Sequence, residues 1–250
     1  MSLHGLERAA FLLDTPEGSR RVELALPGLY NVYNAVAAAA LARALDAGLE
    51  EIAAGLERFS AAFGRFERVA VGEKRLLLLL IKNPAGANEA VRTLVDGGAP
   101  HVLVAALNDE IADGRDVSWI WDVDFEPLLP GLRTLVASGG RAAELALRFR
   151  YGGLDEEAIE VEPDLGDAID RGLELTPDGD ELVVLPTYTA MLGLQRLLAA
   201  RGLAQPYWER TPGRRSGSAT CTPTTSTSTR TAATSRCSRG GLRGAATSSR

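Results

Sequence analysis

The sequence predicts an α/β fold built on a mainly parallel sheet, and three observations carry that expectation. From Arg68 onward, short apolar runs of β type alternate with segments of helical periodicity, which is the order of a parallel sheet covered by helices. The run LLLLLI at residues 76–81 is unbroken by polar residues, as in a strand buried on both faces. Before Arg68 the pattern differs: a hairpin is followed by two helices, so a smaller unit precedes the sheet.

Residues 7–14 and 19–26 flank Thr15-Pro16-Glu17-Gly18 and read as the hairpin. Pro27 and Gly28 stop its second strand. The run GLYNVYNAVAAAALA at 28–42 then places Val32, Ala35, Val36, Ala39 and Ala40 on one face of a helix over about 31–46, with Asn31 and Asn34 in its first turn. A second helix is expected over 49–59, and residues 64–66 begin the link to the next unit. There, strands are expected at 75–81, 101–107, 134–137, 159–162 and 182–185, and helices at 87–95, 141–149, 165–172 and 187–200. The expected divisions are therefore 1–66, 67–210 and a tail at 211–250.

Composition narrows the function classes. The chain has 250 residues, 46% of them hydrophobic, and no apolar run approaches the roughly 20 residues that span a bilayer. The N-terminus lacks a basic start followed by an apolar stretch and a cleavage site, so a cytoplasmic location is expected. The two cysteines, Cys221 and Cys237, both fall in the tail and support neither a disulfide framework nor a multi-cysteine metal site. A net charge of −6 argues against broad nucleic-acid binding, the more so because the tail holds seven arginines and no acid, leaving about −13 on the rest. The tail, dominated by Ser, Thr, Arg, Gly and Ala, is expected to be disordered. A basic arm for an anionic surface is the functional alternative.

Four segments have the residue types of a site. Asn31 and Asn34 stand where a helix start offers unpaired N–H groups and its positive dipole end, so their carboxamides can help hold a nucleotide; Asn31 is equally a favoured N-cap. Lys82-Asn83-Pro84 follows a buried strand, where Lys82 can neutralise phosphate and Asn83 can hydrogen-bond; the alternative is a plain strand-to-helix turn. Asp109, Asp113, Asp116, Asp122 and Asp124 fall within about sixteen residues, with Asn108, Trp119 and Trp121 among them. That is too much aromatic weight for a solvated acidic loop, so some of these acids face a partner or ligand. The acids do not follow calcium-loop order, and Asp116 equally caps a helical turn beginning at Ser118. Thr187 and Thr189 in PTYTA are good helix-start residues whose hydroxyls can also meet a ligand. In an open parallel sheet, ligands meet loops at the C-terminal ends of strands, and the last three segments follow strands. His4 and His101 are isolated and receive no role.

The Asn31/Asn34 run resembles the G-x-x-N-x-x-N-x-x-A-A element of the Mur ligases, ATP-dependent amide-forming enzymes of peptidoglycan synthesis. With Tyr30 and Tyr33 before the two asparagines, and with IKNPAGANEA (81–90), LNDEIADGRDVSWIWDVDFE (107–126) and LPTYTAMLGLQRLL (185–198), the chain resembles MurT-type subunits of lipid II isoglutaminyl synthase over about residues 8–210. The resemblance implies the end of a Mur-ligase central domain over 1–66 and a Rossmann-like C-terminal domain over 67–210. It further implies ATP-dependent amidation of the D-glutamate α-carboxylate of lipid II to D-isoglutamine, at the inner face of the membrane, with ammonia from a GatD-type glutaminase partner. ATP and Mg2+ serve the full-length enzyme. Asn31, Asn34, Lys82, Asn83, Asn108 and Asp109 are implied at the nucleotide. Asp116, with Asp122 the runner-up, is implied to complete the partner's Cys-His triad. The family's phosphate loop and four-cysteine zinc ribbon do not occur in this sequence, so an incomplete ligase with no metal is expected. Rival readings are an amino-acid-adding Mur ligase or folylpolyglutamate synthetase fragment, against which Asp116-Val117-Ser118-Trp119 speaks, and a noncatalytic docking module. A shifted reading frame across 218–239 permits GHLYPDDLNLYADRGNIAVLA, similar to a GatD-type start, so a frameshift near codon 210 is a further expectation.

Overall fold

The computed structural model describes residues 2–4, 6–59 and 65–204; the expectations for the tail lie outside them. Strands β1 (Ser2–His4), β2 (Arg8–Thr15) and β3 (Gly18–Leu24) form an antiparallel sheet in that order. The hairpin turns at Pro16-Glu17, with Thr15 opposite Gly18; β1 adds a strand the sequence pattern does not announce. Helices α1 (Leu29–Ala44) and α2 (Leu49–Arg58) complete a core with Phe11, Leu13, Val22 and Leu24 from the sheet, Val32, Ala35 and Ala39 from α1, and Ile52 and Ala53 from α2.

Helix α1 begins earlier than expected. Gly28, at φ 89°, is its N-cap, so Asn31 is the third helical residue and Asn34 lies in the second turn. Gly28 is suited to this place: besides its positive φ, a Cβ there would lie 2.8 Å from Thr93 Oγ1. Val36 and Ala40, expected on the inner face, are exposed. The buried apolar stripe is the narrower one of Val32, Ala35 and Ala39.

Ten further elements form the second sheet and its cover: β4 (Arg65–Val71), β5 (Lys74–Leu79), α3 (Pro84–Asp96), β6 (Val102–Ala106), β7 (Thr134–Ser138), α4 (Ala142–Tyr151), β8 (Ile159–Val161), α5 (Leu165–Leu175), β9 (Glu181–Pro186) and α6 (Tyr188–Ala200). The sheet order is β4-β5-β9-β6-β7-β8. All neighbours are parallel except β4, which pairs antiparallel with β5. Strand β4, of which the sequence marks only the start, as the beginning of a link at 64–66, is hidden by a bulge. Phe66 adopts φ 57° where the register shifts between Arg65 and Glu67, so the buried residues fall at 66 and 69 and the two-residue alternation is lost.

The central strands are buried on both faces with strict alternation. Leu77, Leu79, Leu103, Ala105, Leu135, Ala137, Val183 and Leu185 face a core shared with α3, α4 and the 118–128 segment. Leu76, Leu78, Val102, Val104, Val136, Leu182 and Val184 face one shared with α5 and α6. Strand β9 alone among β5, β6, β7 and β9 sends its next helix, α6, to that second face. Its neighbours β5 and β6 lead to the first face, and adjacent strands diverging in this way open a crevice at their C-terminal ends.

Candidate functional site

Four loops converge at that crevice, after β5, β6, β7 and β9. The key to their arrangement is Asn108, directly beyond the buried end of β6. Its backbone N–H donates to Thr187 Oγ1 at 3.0 Å, its Nδ2 to Thr189 Oγ1 at 2.9 Å, and its Oδ1 accepts from Gly140 N–H at 3.0 Å. Thr189 in turn donates from its N–H to Asp113 Oδ1 at 2.8 Å and from its hydroxyl to Asp113 Oδ2. One polar chain therefore runs from the β7 loop through Asn108 and the start of α6 to Asp113. Each bond polarises the next where solvent is partly excluded, and the carboxylate sits at the positive end of α6.

Beside this chain, Arg141 at the start of α4 binds Asp109 Oδ2 through Nε at 2.9 Å and a terminal nitrogen at 2.8 Å, and reaches Glu144 at 2.6 Å. Exposed Lys82 holds its ammonium 5.6 Å from the centroid of the Tyr188 ring. Asn83 is the N-cap of α3, accepting from Gly86 N–H at 2.8 Å, with Pro84 at the first helical position. Lys82 and Asn83 thus follow the end of β5, and Asn108 and Asp109 the end of β6, both at the C-terminal edge of the parallel strands. Asn31 lies on α1, buried, its Nδ2 donating to Pro27 O at 2.6 Å, and Asn34 is exposed on the same helix.

The acidic segment divides. Asp109 and Asp113 belong to the loop cluster, whereas Asp116 precedes, Asp122 ends and Asp124 follows a short 3-10 helix at Ser118–Asp122. Asp116 is exposed and its Oδ1 accepts the Ser118 N–H at 2.9 Å, so the capping geometry is present. Hydrogen bonds from Ser118, side chain and then backbone, hold the Asp116 carboxyl below the usual carboxylate range, leaving an ionised group at the surface. Asp122 and Asp124 are exposed, and Asn88 bridges their backbones, donating to Asp122 O at 3.5 Å and accepting from Asp124 N–H at 2.7 Å.

Sequence reasoning passes over Gly139, Arg141 and Arg148. Gly139 has φ 88°, and a Cβ would lie 2.5 Å from Leu107 O and 2.6 Å from Asn108 Oδ1. Its signal was a Gly-Gly pair between strand and helix. Thr187 occupies the N-cap position of α6 as expected of a helix-start residue, yet its hydroxyl serves Asn108 instead of capping its own helix. Among the described residues, no group of three or more His, Cys, Asp or Glu side chains is placed to hold a metal ion, and no helix is long and apolar enough to cross a membrane.

A mainly parallel sheet with a loop crevice at its C-terminal strand ends, preceded by a hairpin-and-helix unit, defines the class: an α/β protein that meets ligands at that edge of its sheet. Residues 80–191 match the family described as MurT ligase C-terminal. Subunit MurT of the glutamine-hydrolysing lipid II isoglutaminyl synthase of Streptococcus pneumoniae is 38% identical over 79% of this chain and 43% of its own length. The corresponding subunit of Staphylococcus aureus strain COL is 33% identical over 68% and 38%. Among solved structures, MurF from Acinetobacter baumannii superposes with a TM-score of 0.61 at 27% identity, over 80% of this chain and 43% of that one. The chain belongs to the MurT-type Mur ligases and spans about two fifths of the length of the curated relatives it matches.

Proposed function

We propose that the chain is part of the synthetase subunit of a lipid II isoglutaminyl synthase, residues 1–66 being the end of its central domain and 67–210 its C-terminal domain. The observation that carries this reading is the similarity to MurT subunits of that synthase over 79% of the chain, in which the family match at 80–191 includes Asp116-Val117-Ser118-Trp119. The partner is a GatD-type glutaminase, the acceptor is the D-glutamate α-carboxylate of lipid II at the inner membrane face, and the product is D-isoglutamine.

ATP, with Mg2+, supplies the phosphoryl group that activates the acceptor carboxylate. The residues present fit one side of a nucleotide: Lys82, Arg141 and Asp109 border the crevice with charged groups, whereas Asn108 and Asn83 spend their amides on the loops themselves. Lys82 would meet phosphate oxygens, Asp109 would meet hydroxyls, and Asn108 and Asn83 would act by fixing the loop backbones. Exposed Asn34 would approach from α1, whereas buried Asn31 spends its amide on Pro27 O and would act by fixing the start of that helix. Asp116, ionised and exposed, is suited to orient the partner's catalytic imidazole and stabilise its charged form, which is what activates an adjacent cysteine.

Glutamine hydrolysis by a GatD-type glutaminase mixed with this chain tests the reading. The chain is expected to raise the rate, and Asp116→Asn to remove roughly a hundredfold or more of that gain with binding retained. Equal activity with wild type and variant would leave a docking module, and absence of binding would reduce the assignment to the Mur-ligase fold.

A further inference from the structure

Arg148 is the one arginine among the buried polar residues of the described chain, at 6% exposure. It lies on the inner face of α4 beside Leu145 and Phe149, where a cation needs a full set of partners to be tolerated. Those partners all lie on the segment that follows Asp116. Nε donates to Ile120 O at 3.2 Å, one terminal nitrogen to Val123 O at 2.6 Å and Glu126 Oε2 at 2.9 Å, and the other to Glu126 Oε1 at 2.8 Å. The guanidinium carbon also lies 5.9 Å from the Trp121 ring and 5.5 Å from the Phe125 ring. A planar fork with five donors can hold two carbonyls and a bidentate carboxylate together, which a lysine cannot.

The 3-10 turn is thereby fixed at two points. Ile120 is sunk in the core below it, and Arg148 holds the carbonyls of Ile120 and Val123 from α4. Asp116 is tied to this turn through Ser118 N–H at 2.9 Å. Nothing in the crevice needs Arg148, since the loop cluster is closed by Asn108, Thr189 and Asp113.

We propose that Arg148 is a positioning residue: by clamping the 118–126 segment it sets the place and direction from which Asp116 is presented to the partner's imidazole. This rests on the assignment of Asp116 as the acid that completes the triad. An orienting carboxylate is sensitive to displacement, and a misplacement near 1 Å can cost about a hundredfold in rate.

The full chain with a GatD-type glutaminase, assayed for glutamine hydrolysis, tests the proposal. Arg148→Lys is expected to lower kcat about tenfold while KM for glutamine and affinity between the proteins stay within about twofold. In the Asp116→Asn background the same substitution is expected to have no further effect, because there is no longer a carboxylate to place. Should Arg148→Lys not fold, Glu126→Gln, which weakens the clamp from the exposed side, replaces it; about a threefold loss of kcat, again absent with Asp116→Asn, is expected. An unchanged kcat in a folded variant, or an equal loss in both backgrounds, overturns the positioning role. If Asp116→Asn alone has no effect, the triad assignment itself falls, and the proposal with it.

Discussion

Asn108 shows why a carboxamide, and no isostere, suits its position. It needs a donor toward Thr189 and an acceptor toward Gly140 in one planar group. Asn108→Ala is expected to cost about 1–3 kcal/mol in urea unfolding, since partly buried partners lose their bonds. Asn108→Asp should be no better, for it keeps the acceptor, loses the donor and puts a second carboxylate near Asp113. Gly139→Ala combines a left-handed backbone with a Cβ lodged 2.5 Å from Leu107 O, and a loss of about 2 kcal/mol or more is expected by the same measurement. The strand-end loops that carry Lys82, Asn83, Asn108 and Asp109 were legible in the sequence. Their partners were not, because the bonds of Asn108 reach 32 and 81 residues along the chain. Arg148 left no sequence signal at all, since an arginine in an amphipathic helix reads as solvated until the segment it holds is placed over it.

Each central strand of the parallel sheet bears side chains on two cores, so truncation is felt on either side. Leu103, fully buried in β6, is expected to cost about 2–5 kcal/mol on change to alanine, whereas Leu12, 58% exposed on β2, should change stability by no more than about 0.5 kcal/mol. Chemical denaturation of the two variants side by side checks the contrast. Elements with unbroken apolar runs were readable to within a few residues, β5, β6, β7 and β9 among them. Those that departed from pattern were not. A bulge at Phe66 broke the period of β4, and the start of α1 moved because a glycine, whose φ of 89° with ψ of 142° lies close to a region that is essentially glycine's alone, caps it. The order of strands was beyond periodicity, for β9 enters between β5 and β6 only through long-range pairing.

For the molecule as a whole, acid should weaken the fold through paired carboxylates. Hydrogen bonds from Arg148 hold Glu126, and those from Arg171 hold Glu160, below the ordinary glutamate value of 4.5. Such groups bind protons more readily unfolded than folded, so their contribution is present in full above that value and is lost as pH falls through the folded pKa. Melting temperature is expected to be flat from neutrality toward pH 5 and to drop below about pH 4.5, with Glu126→Gln flattening the drop. The polar chain from Gly140 to Asp113 has a different consequence. Surface loops ordinarily take up deuterium within moments, but the amides of Asn108, Gly140 and Thr189 are locked to side chains of other loops. They should exchange on the schedule of the strands beneath them, making the rim of the crevice a slow-exchanging island that opens only when the sheet does.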